Sequence, residues 1–316
     1  MPPAVGPVIR IARRLLSKEF VMVLVATLVA DPSNPVLTDA QLSRLSNAVA
    51  VDKIDWLRAG VAVDLYLEHH VIRQTAESAI REIIAGEAID LVIQPLIGRR
   101  KKALLADMDS TMIGQECIDE LAAEVGLKEK VAAITARAMN GEIEFEPAVR
   151  ERVSLLAGLD IGIVDEIIEK RITLTPGGKE LIATMKANGG YTALVSGGFT
   201  VFTSRIGAMI GFDENRANTL VERDGKLTGQ VADPILGRQA KIEALHDVAR
   251  KRGIAETEIM AVGDGANDLG MLELAGSGVA LHAKPTVAEK ADIRIDHADL
   301  TALLYIQGYH EEEFRR

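Results

Sequence analysis

The 316-residue chain is 48% hydrophobic, enough to bury a full core and to divide into two or three compact units, which excludes a disordered segment or a miniature scaffold. With 36 Lys and Arg against 46 Asp and Glu the net charge is −10, so neither nucleic acid nor an anionic membrane is an expected partner. The single cysteine, Cys117, allows neither an internal disulfide nor a cysteine-based zinc site; it suits a reducing compartment, and the expected location is cytoplasmic. Aromatic side chains make up only 3% of the chain against 27 glycines, a composition poor for stacking bases and suited to an α/β protein with many tight turns.

Arg10, Arg13, Arg14 and Lys18 precede an apolar run from Phe20 to Ala30. The shape imitates a secretion signal, but Thr27 interrupts the run, no clean cleavage site follows, and the run is well short of the ~20 residues that span a bilayer. It reads as a buried strand. The pattern continues as helix (Thr38 to Ala48), strand (Gly60 to Tyr66), helix (Arg73 to Ala85) and strand (Ala88 to Gln94), with Asp31-Pro-Ser-Asn-Pro35 as a turn and Thr38 and Gln41 at capping-box spacing. Residues 1–98 therefore predict a small α+β sandwich of net charge −2, leaving −8 to residues 99–316. Arg99-Arg-Lys-Lys102 reads as a solvated linker.

Ala103 to Asp109 then predicts a buried strand that ends in two acids. Helical patterns at Cys117 to Val125, Lys128 to Met139, Glu146 to Ala157 and Asp160 to Lys170 predict an inserted helical cap over about residues 113–185. Strands return at Thr192 to Ser196, Ile259 to Gly263, Gly278 to Leu281 and Ile293 to Asp296, and Leu220 to Gly229 reads as a hairpin turning at Asp224-Gly225. Strand alternating with helix predicts a parallel sheet covered on both faces. In such sheets ligands sit at the carboxyl ends of the strands, where Asp107, Ser196 and Asp264 fall.

Asp107 and Asp109, two residues apart at a strand end, would repel each other if buried without a cation. A hard cation such as Mg²⁺ satisfies such oxygen ligands; the plainer reading is a strand end with turn-forming and capping residues. Ser196-Gly-Gly-Phe199 sets a hydroxyl and flexible backbone N–H groups at a second strand end, able to cradle phosphate oxygens or simply to turn the chain. Gly263-Asp-Gly-Ala-Asn-Asp268 brings two further acids and an amide to the same edge. It lacks the third glycine of the dinucleotide fingerprint, since position 268 is Asp. Lys241, by itself, would be an ordinary solvated helix position.

Together these residues resemble the four signature motifs of the haloacid-dehalogenase superfamily, in particular its aspartate-nucleophile phosphatases: Asp107-Met-Asp109-Ser-Thr-Met-Ile-Gly-Gln-Glu116, Ser196-Gly-Gly-Phe199, Lys241, and Gly263-Asp-Gly-Ala-Asn-Asp268. The long first motif with Glu116, together with Arg152 in Glu151-Arg-Val-Ser-Leu-Leu156, is similar to that of the phosphoserine phosphatases within it. The resemblance covers about residues 100–300. It implies a Rossmann-like parallel sheet with a helical cap, and hydrolysis of O-phospho-L-serine to L-serine and phosphate, the last step of serine biosynthesis, with Mg²⁺ as cofactor. Asp107 would be the nucleophile and Asp109 the acid and base. The metal would be held by Asp107, the Asp109 carbonyl and Asp264, with Asp268 behind them. Ser196, Gly197, Lys241 and Asn267 would hold the phosphate, Glu116 the ammonium and Arg152 the carboxylate of the substrate.

Phe145 and Met139 either pack on the substrate's stem or belong to the core. Cys117 reads as a small packed residue and His282 as structural. The same core motifs would also serve a relative acting on another small phosphate monoester, or one passing the phosphoryl group to an acceptor alcohol. A receiver-like signalling module is disfavoured, because Asp109 supplies a built-in base for hydrolysing the acyl-phosphate. Residues 1–98 are similar, by pattern only, to the ACT-like domains ahead of some bacterial members. Such an antiparallel sheet leaves an edge and an apolar face to be covered, either by a partner subunit, giving a homodimer, or by the neighbouring domain.

Overall fold

The computed structural model describes residues 23–139 and 142–316. The start of the first expected strand, the basic residues ahead of it and the side chain of Met139 lie outside the described residues. Chain order begins β1 (Leu24–Ala30), α1 (Asp39–Ala48), β2 (Val51–Arg58), β3 (Ala62–Leu67), α2 (Arg73–Ile83) and β4 (Ile89–Pro95). These strands form an antiparallel sheet in the order β2-β3-β1-β4. Leu24, Ala26 and Leu28 of β1, with Val63 and Leu65 of β3, meet Leu42, Leu45, Ala76 and Ile80 of the two helices. Thr38 caps α1: the Gln41 N–H donates to its Oγ1 at 3.3 Å, and its own N–H donates to Gln41 Oε1 at 2.6 Å.

Strand β2 is absent from the sequence reading. It is an edge strand whose Asp52, Lys53 and Ile54 face solvent, so no apolar run announces it; only pairing of Ile54 with Leu65 and Trp56 with Val63 defines it.

The larger part runs β5 (Ala103–Ala106), α3 (Cys117–Glu124), α4 (Lys128–Met139), α5 (Phe145–Ser154), α6 (Ile163–Lys170), α7 (Gly178–Ala187), β6 (Tyr191–Phe199), α8 (Thr200–Ile210), β7 (Glu214–Asn218), β8 (Leu220–Arg223), β9 (Lys226–Val231), α9 (Arg238–Arg252), β10 (Ile259–Gly263), α10 (Leu269–Leu274), β11 (Ser277–Leu281), α11 (Pro285–Ala288), β12 (Ile293–Ile295) and α12 (Ala302–Tyr305). Six parallel strands lie in the order β12-β11-β10-β5-β6-β7. Leu104 and Ala106 of β5 enter one core and Ala103 and Leu105 the other, so both faces are buried. Strand β7, polar and at the edge, is the second strand the sequence reading lacks. Hairpin β8–β9 turns at Asp224 and Gly225, with φ of 52° and 76°, the left-handed pair that a tight two-residue turn demands. Helix α7 packs on β6, with Leu181 and Ile182 in the core that Leu104 and Leu194 share.

The second face of the N-terminal sheet packs on the larger part of the same chain: Val29, Leu57, Val61 and Val92 belong to one core with Leu300, Leu303 and Tyr305. Of the two coverings open to this face, the neighbouring unit supplies it. Polar groups fix the docking. Asp90 accepts from the backbone N–H groups of Asp296 (2.8 Å), His297 (3.1 Å) and Ala298 (2.9 Å), and Gln94 donates to the Ile306 carbonyl at 2.6 Å. Arg99 departs from the solvated-linker expectation: it is buried, and its guanidinium donates to Asp64 Oδ2 at 2.6 Å while Thr27 donates to Oδ1 at 2.6 Å. A carboxylate fully buried in a sheet needs such a cation. No helix among the described residues is long and apolar enough to cross a membrane.

Replacing Asp90 with Ala leaves three backbone donors facing an apolar side chain. The expected result is native secondary structure with a loss of about 1.5–3 kcal/mol, the range for hydrogen bonds to a charged group, read as a lower thermal midpoint by circular dichroism. An unchanged midpoint would mean that these bonds do not hold the two sheets together.

Candidate active site

The chain order places β5 between β10 and β6, where connections leave to opposite sides of the sheet and a crevice opens at the carboxyl ends. Strand β5 ends at Ala106, three residues before the acid pair's end, so both acids stand on the loop beyond it. The Asp107 N–H still donates to the Val262 carbonyl (3.0 Å), and the N–H groups of Thr111, Met112 and Ile113 all turn back on Met108 O. Met108 fills the core beneath, and Ser110 takes a left-handed φ of 56°. The result is a tight loop that keeps Asp107 and Asp109 on the crevice side.

Lys241, in the first turn of α9, is buried and bridges two carboxylates, with Nζ 2.7 Å from Asp107 Oδ1 and 2.5 Å from Asp268 Oδ1. It is not the solvated helix lysine that its local sequence suggests. Asp268 Oδ2 also accepts from the Gly265 N–H at 3.0 Å. A side chain at Gly263 would bring its Cβ to 2.4 Å from Asp268 Cγ, so the close approach of these two residues requires glycine there. Asp264 has Thr111 Oγ1 at 3.4 Å and Lys284 Nζ at 3.8 Å. Lys284 escaped the sequence reading. It follows β11 by three residues, and the rule that ligands gather at strand ends was the signal that could have found it.

Asp109 Oδ1 accepts from the Cys117 N–H at 2.9 Å, which leaves Oδ2 toward the crevice, where Ser196 Oγ lies at 3.4 Å. Ser196 Oγ in turn accepts from the Gly198 N–H at 2.8 Å. Glu116 accepts from Ser110 Oγ at 2.9 Å. One cavity of about 30 Å³ is lined by Asp107, Asp109, Glu116, Arg152, Ser196, Gly197 and Asn267, and is closed by Phe145, Ile118 and Val149 from the cap helices. Phe145 covers Gly197 closely enough that a Cβ there would lie 2.8 Å from its ring. All ten residues singled out in the sequence thus meet at one sheet edge: seven line the cavity, and Lys241, Asp264 and Asp268 lie behind Asp107. His282 binds the Ala298 carbonyl through Nε2 at 2.9 Å. Cys117 is buried, and burial and the neighbouring Asp109 push its thiol well above its usual range, which disarms it as a nucleophile.

The electrostatics are those of acids crowded away from water. Burial, then Asp268, raises Asp107 well above the usual carboxylate range, against the pull of Lys241. Burial raises Asp109, against the Cys117 N–H. Asp264 is raised to about 6 by burial and by Asp268, and Glu116 to about 8 by burial, Asp109 and Asp264. Burial alone would lower Lys241, yet Asp107 and Asp268 hold it well above the usual lysine range. Carboxylate oxygens of Asp107, Asp264 and Asp268 all lie within 4.8 Å of one another. One lysine bridging two of three buried acids leaves negative charge uncompensated, and an all-oxygen donor set of this kind fits a hard divalent cation.

In the cation-free protein the folded site therefore retains protons that the unfolded chain releases. Stability should fall as pH rises from about 4 to about 8, between the unfolded and folded values of Asp264 and Glu116. A saturating divalent cation at the Asp107–Asp264–Asp268 cluster should displace the proton of Asp264 and flatten the slope up to about pH 6, while Glu116, outside that cluster, keeps its part up to about 8. Melting curves across this range, chelated against loaded, measure it; parallel slopes would show that the acids do not form a cation site.

The pattern of the haloacid dehalogenase-like hydrolases matches residues 104–273. A probable phosphoserine phosphatase of Schizosaccharomyces pombe is 41% identical over 247 residues, 77% of this chain and 83% of that protein. A solved structure described as a phospho-aspartyl intermediate analogue of phosphoserine phosphatase is 45% identical with a TM-score of 0.62, covering 65% of this chain and 98% of that one. A haloacid-dehalogenase-family hydrolase of Salmonella enterica serovar Typhi superposes with a TM-score of 0.79 at 31% identity over 91% of this chain and 99% of its own. With the sheet topology and the four motifs at one strand edge, these likenesses have one reading: the chain is an enzyme of the haloacid dehalogenase-like hydrolase family.

Proposed function

We propose that the enzyme hydrolyses O-phospho-L-serine to L-serine and phosphate through a phosphoryl group carried on Asp107. The observation that carries this reading is the presence of Glu116 and Arg152 in the same cavity as Asp107 and Asp109. Phosphoserine has an ammonium and a carboxylate besides its phosphate, and the cavity offers one matched partner for each. Residues 99–316 form the phosphatase unit in this reading, with the cap over about residues 113–185 and residues 1–98 as a separate ACT-like unit.

An Asp107 carboxylate oxygen attacks phosphorus, the bond from phosphorus to the serine oxygen breaks, and Asp109 gives that oxygen its proton. A water then attacks the phosphoryl group on Asp107. Asp109 takes the water's proton, and the bond between phosphorus and the Asp107 oxygen breaks. Burial, which favours the protonated form of Asp109, suits it to the first half, and the N–H that fixes Oδ1 keeps Oδ2 aimed at the reacting centre. Lys241, Ser196 Oγ and the Gly197 N–H hold phosphate oxygens, and the Asn267 amide, whose buried Oδ1 has no hydrogen-bond partner among the described residues, stands at the same wall. Asp107, Asp264 and the Asp109 carbonyl, with Asp268 behind them, would hold Mg²⁺, which would offset the charge that nucleophile and phosphate bring together. As it stands, the cavity of about 30 Å³ has room for only a water or two.

Asp107→Asn should abolish phosphate release from phosphoserine, with native circular dichroism, because an amide is a very poor nucleophile; a residual rate of a tenth would refute the covalent route. Asp109→Asn should lose about 10²- to 10⁴-fold, the usual contribution of a general acid and base, in both formation and hydrolysis of the phosphoenzyme. Glu116→Gln and Arg152→Ala should each cost roughly tenfold to a few hundredfold in kcat/KM on phosphoserine, the value of one charge-assisted contact, and little on an aryl phosphate that never used it. Equal losses on both substrates would assign these residues to the fold instead. Omitting Mg²⁺ and adding a chelator should stop turnover of either substrate.

A further inference from the structure

We propose that Thr135 is a positioning residue for substrate selection, holding Arg152 so that its free donors face the carboxylate of the substrate. The inference rests on the reading of Arg152 given above. Arg152 is buried, 4% exposed, yet among the described residues no carboxylate lies within 4.0 Å of its guanidinium in an ion pair. A buried cation without a direct counter-charge is costly unless something else completes it. Its cap-side contacts are two: Nε donates to the Ala148 carbonyl at 3.1 Å, and Nη1 donates to Thr135 Oγ1 at 2.9 Å. Nη2 makes no hydrogen bond to the described residues, and Arg152 lines the cavity. The uncommitted donors are therefore on the side where the substrate carboxylate would lie.

Among the described residues Thr135 is the one side chain hydrogen-bonded to the guanidinium, and it ties three helices at a single hydroxyl. It stands on α4, accepts from Arg152 on α5, and has Asp119 Oδ1 of α3 and the Val131 carbonyl each at 3.1 Å for its own proton. When that proton goes to Asp119, the carboxylate's charge is passed one bond closer to Arg152 without an ion pair that would occupy the fork. A direct Asp119–Arg152 pair would use up the donors that the substrate needs. The plainer role for a buried helical threonine, a back-bond to the carbonyl four residues earlier, accounts for the Val131 contact but not for the Arg152 bond.

The test compares O-phospho-L-serine with O-phosphoethanolamine, which keeps the phosphate and ammonium but lacks the carboxylate, in the full Mg²⁺-loaded enzyme. Thr135→Val keeps the shape and removes the hydroxyl. Its kcat/KM on phosphoserine should fall about tenfold, the loss of one hydrogen bond to a charged group, mainly through KM, with phosphoethanolamine changed less than about twofold on the same scale. Thr135→Ser should restore the phosphoserine value. If Thr135→Val does not fold, Thr135→Ala gives the same comparison without placing a branched apolar group against the guanidinium. Equal losses on both substrates, or an unaltered phosphoserine KM, would overturn the assignment of Thr135. Arg152→Ala runs alongside: if it too fails to distinguish the two substrates, the reading of Arg152 is what fails, and the role of Thr135 falls with it.

Discussion

Three carboxylates, those of Asp107, Asp264 and Asp268, are buried within 4.8 Å of one another at the end of one parallel sheet, and the rest of the site is arranged around that repulsion. Lys241 takes up two of them and Lys284 approaches the third. Each lysine depends on its element: the first needs α9 to pack against β6 and α10, and the second needs the chain to turn sharply after β11, which it does at His282 with a left-handed φ of 44°. Two ammonium groups against three carboxylates leave an all-oxygen donor set of the kind that fits a hard divalent cation. Burial and this crowding raise Asp107 and Asp264 toward their protonated forms, and burial does the same to Asp109.

The N-terminal sheet takes part in this arrangement from a distance. Asp90 holds the backbone of residues 296–298, and the Ala298 carbonyl holds the ring of His282, the residue at which the chain turns toward Lys284. The sheet is thus a buttress for the strand end that faces Asp264. Its own core is separate, but its second face is shared with the C-terminal helix region, and the buried Thr27–Asp64–Arg99 network ties the segment leaving β4 back to the sheet. Removing residues 1–98 would uncover Leu303 and Tyr305 together with one side of that support.

The cap divides the labour differently. In the proposed function the sheet edge would supply the chemistry common to phosphate esters, whereas Glu116 at the start of α3 and Arg152 on α5 would confront the parts of the substrate that do not react. A selective site of this kind needs its charged groups held before the ligand arrives, because ordering them at binding would consume the gain. Ser110 does this for Glu116, and Thr135 and the Ala148 carbonyl do it for Arg152.

Much of this was legible in the sequence, and the parts that were not share a cause. The apolar strands β1, β4, β5, β10 and β11 announce themselves because both faces of each are covered, so hydrophobicity is continuous; the acid pairs announce themselves by standing where such runs stop. Strands β2 and β7 were silent because each lies at a sheet edge, where one side meets water and the residues are polar; hydrogen bonding to a neighbour, not composition, makes them strands. Arg99 and Lys241 look locally like solvated charges, and only a carboxylate from a distant segment, Asp64 for one and Asp107 and Asp268 for the other, brings each inside. Lys284 and Thr135 belong to no motif, since their partners come from other elements. The sequence by itself determined the chemistry at the strand ends, because residue type and spacing specify it locally. The tertiary structure alone decided which charges are buried and paired, because an ion pair depends on distance in space and the chain does not record that distance along its length.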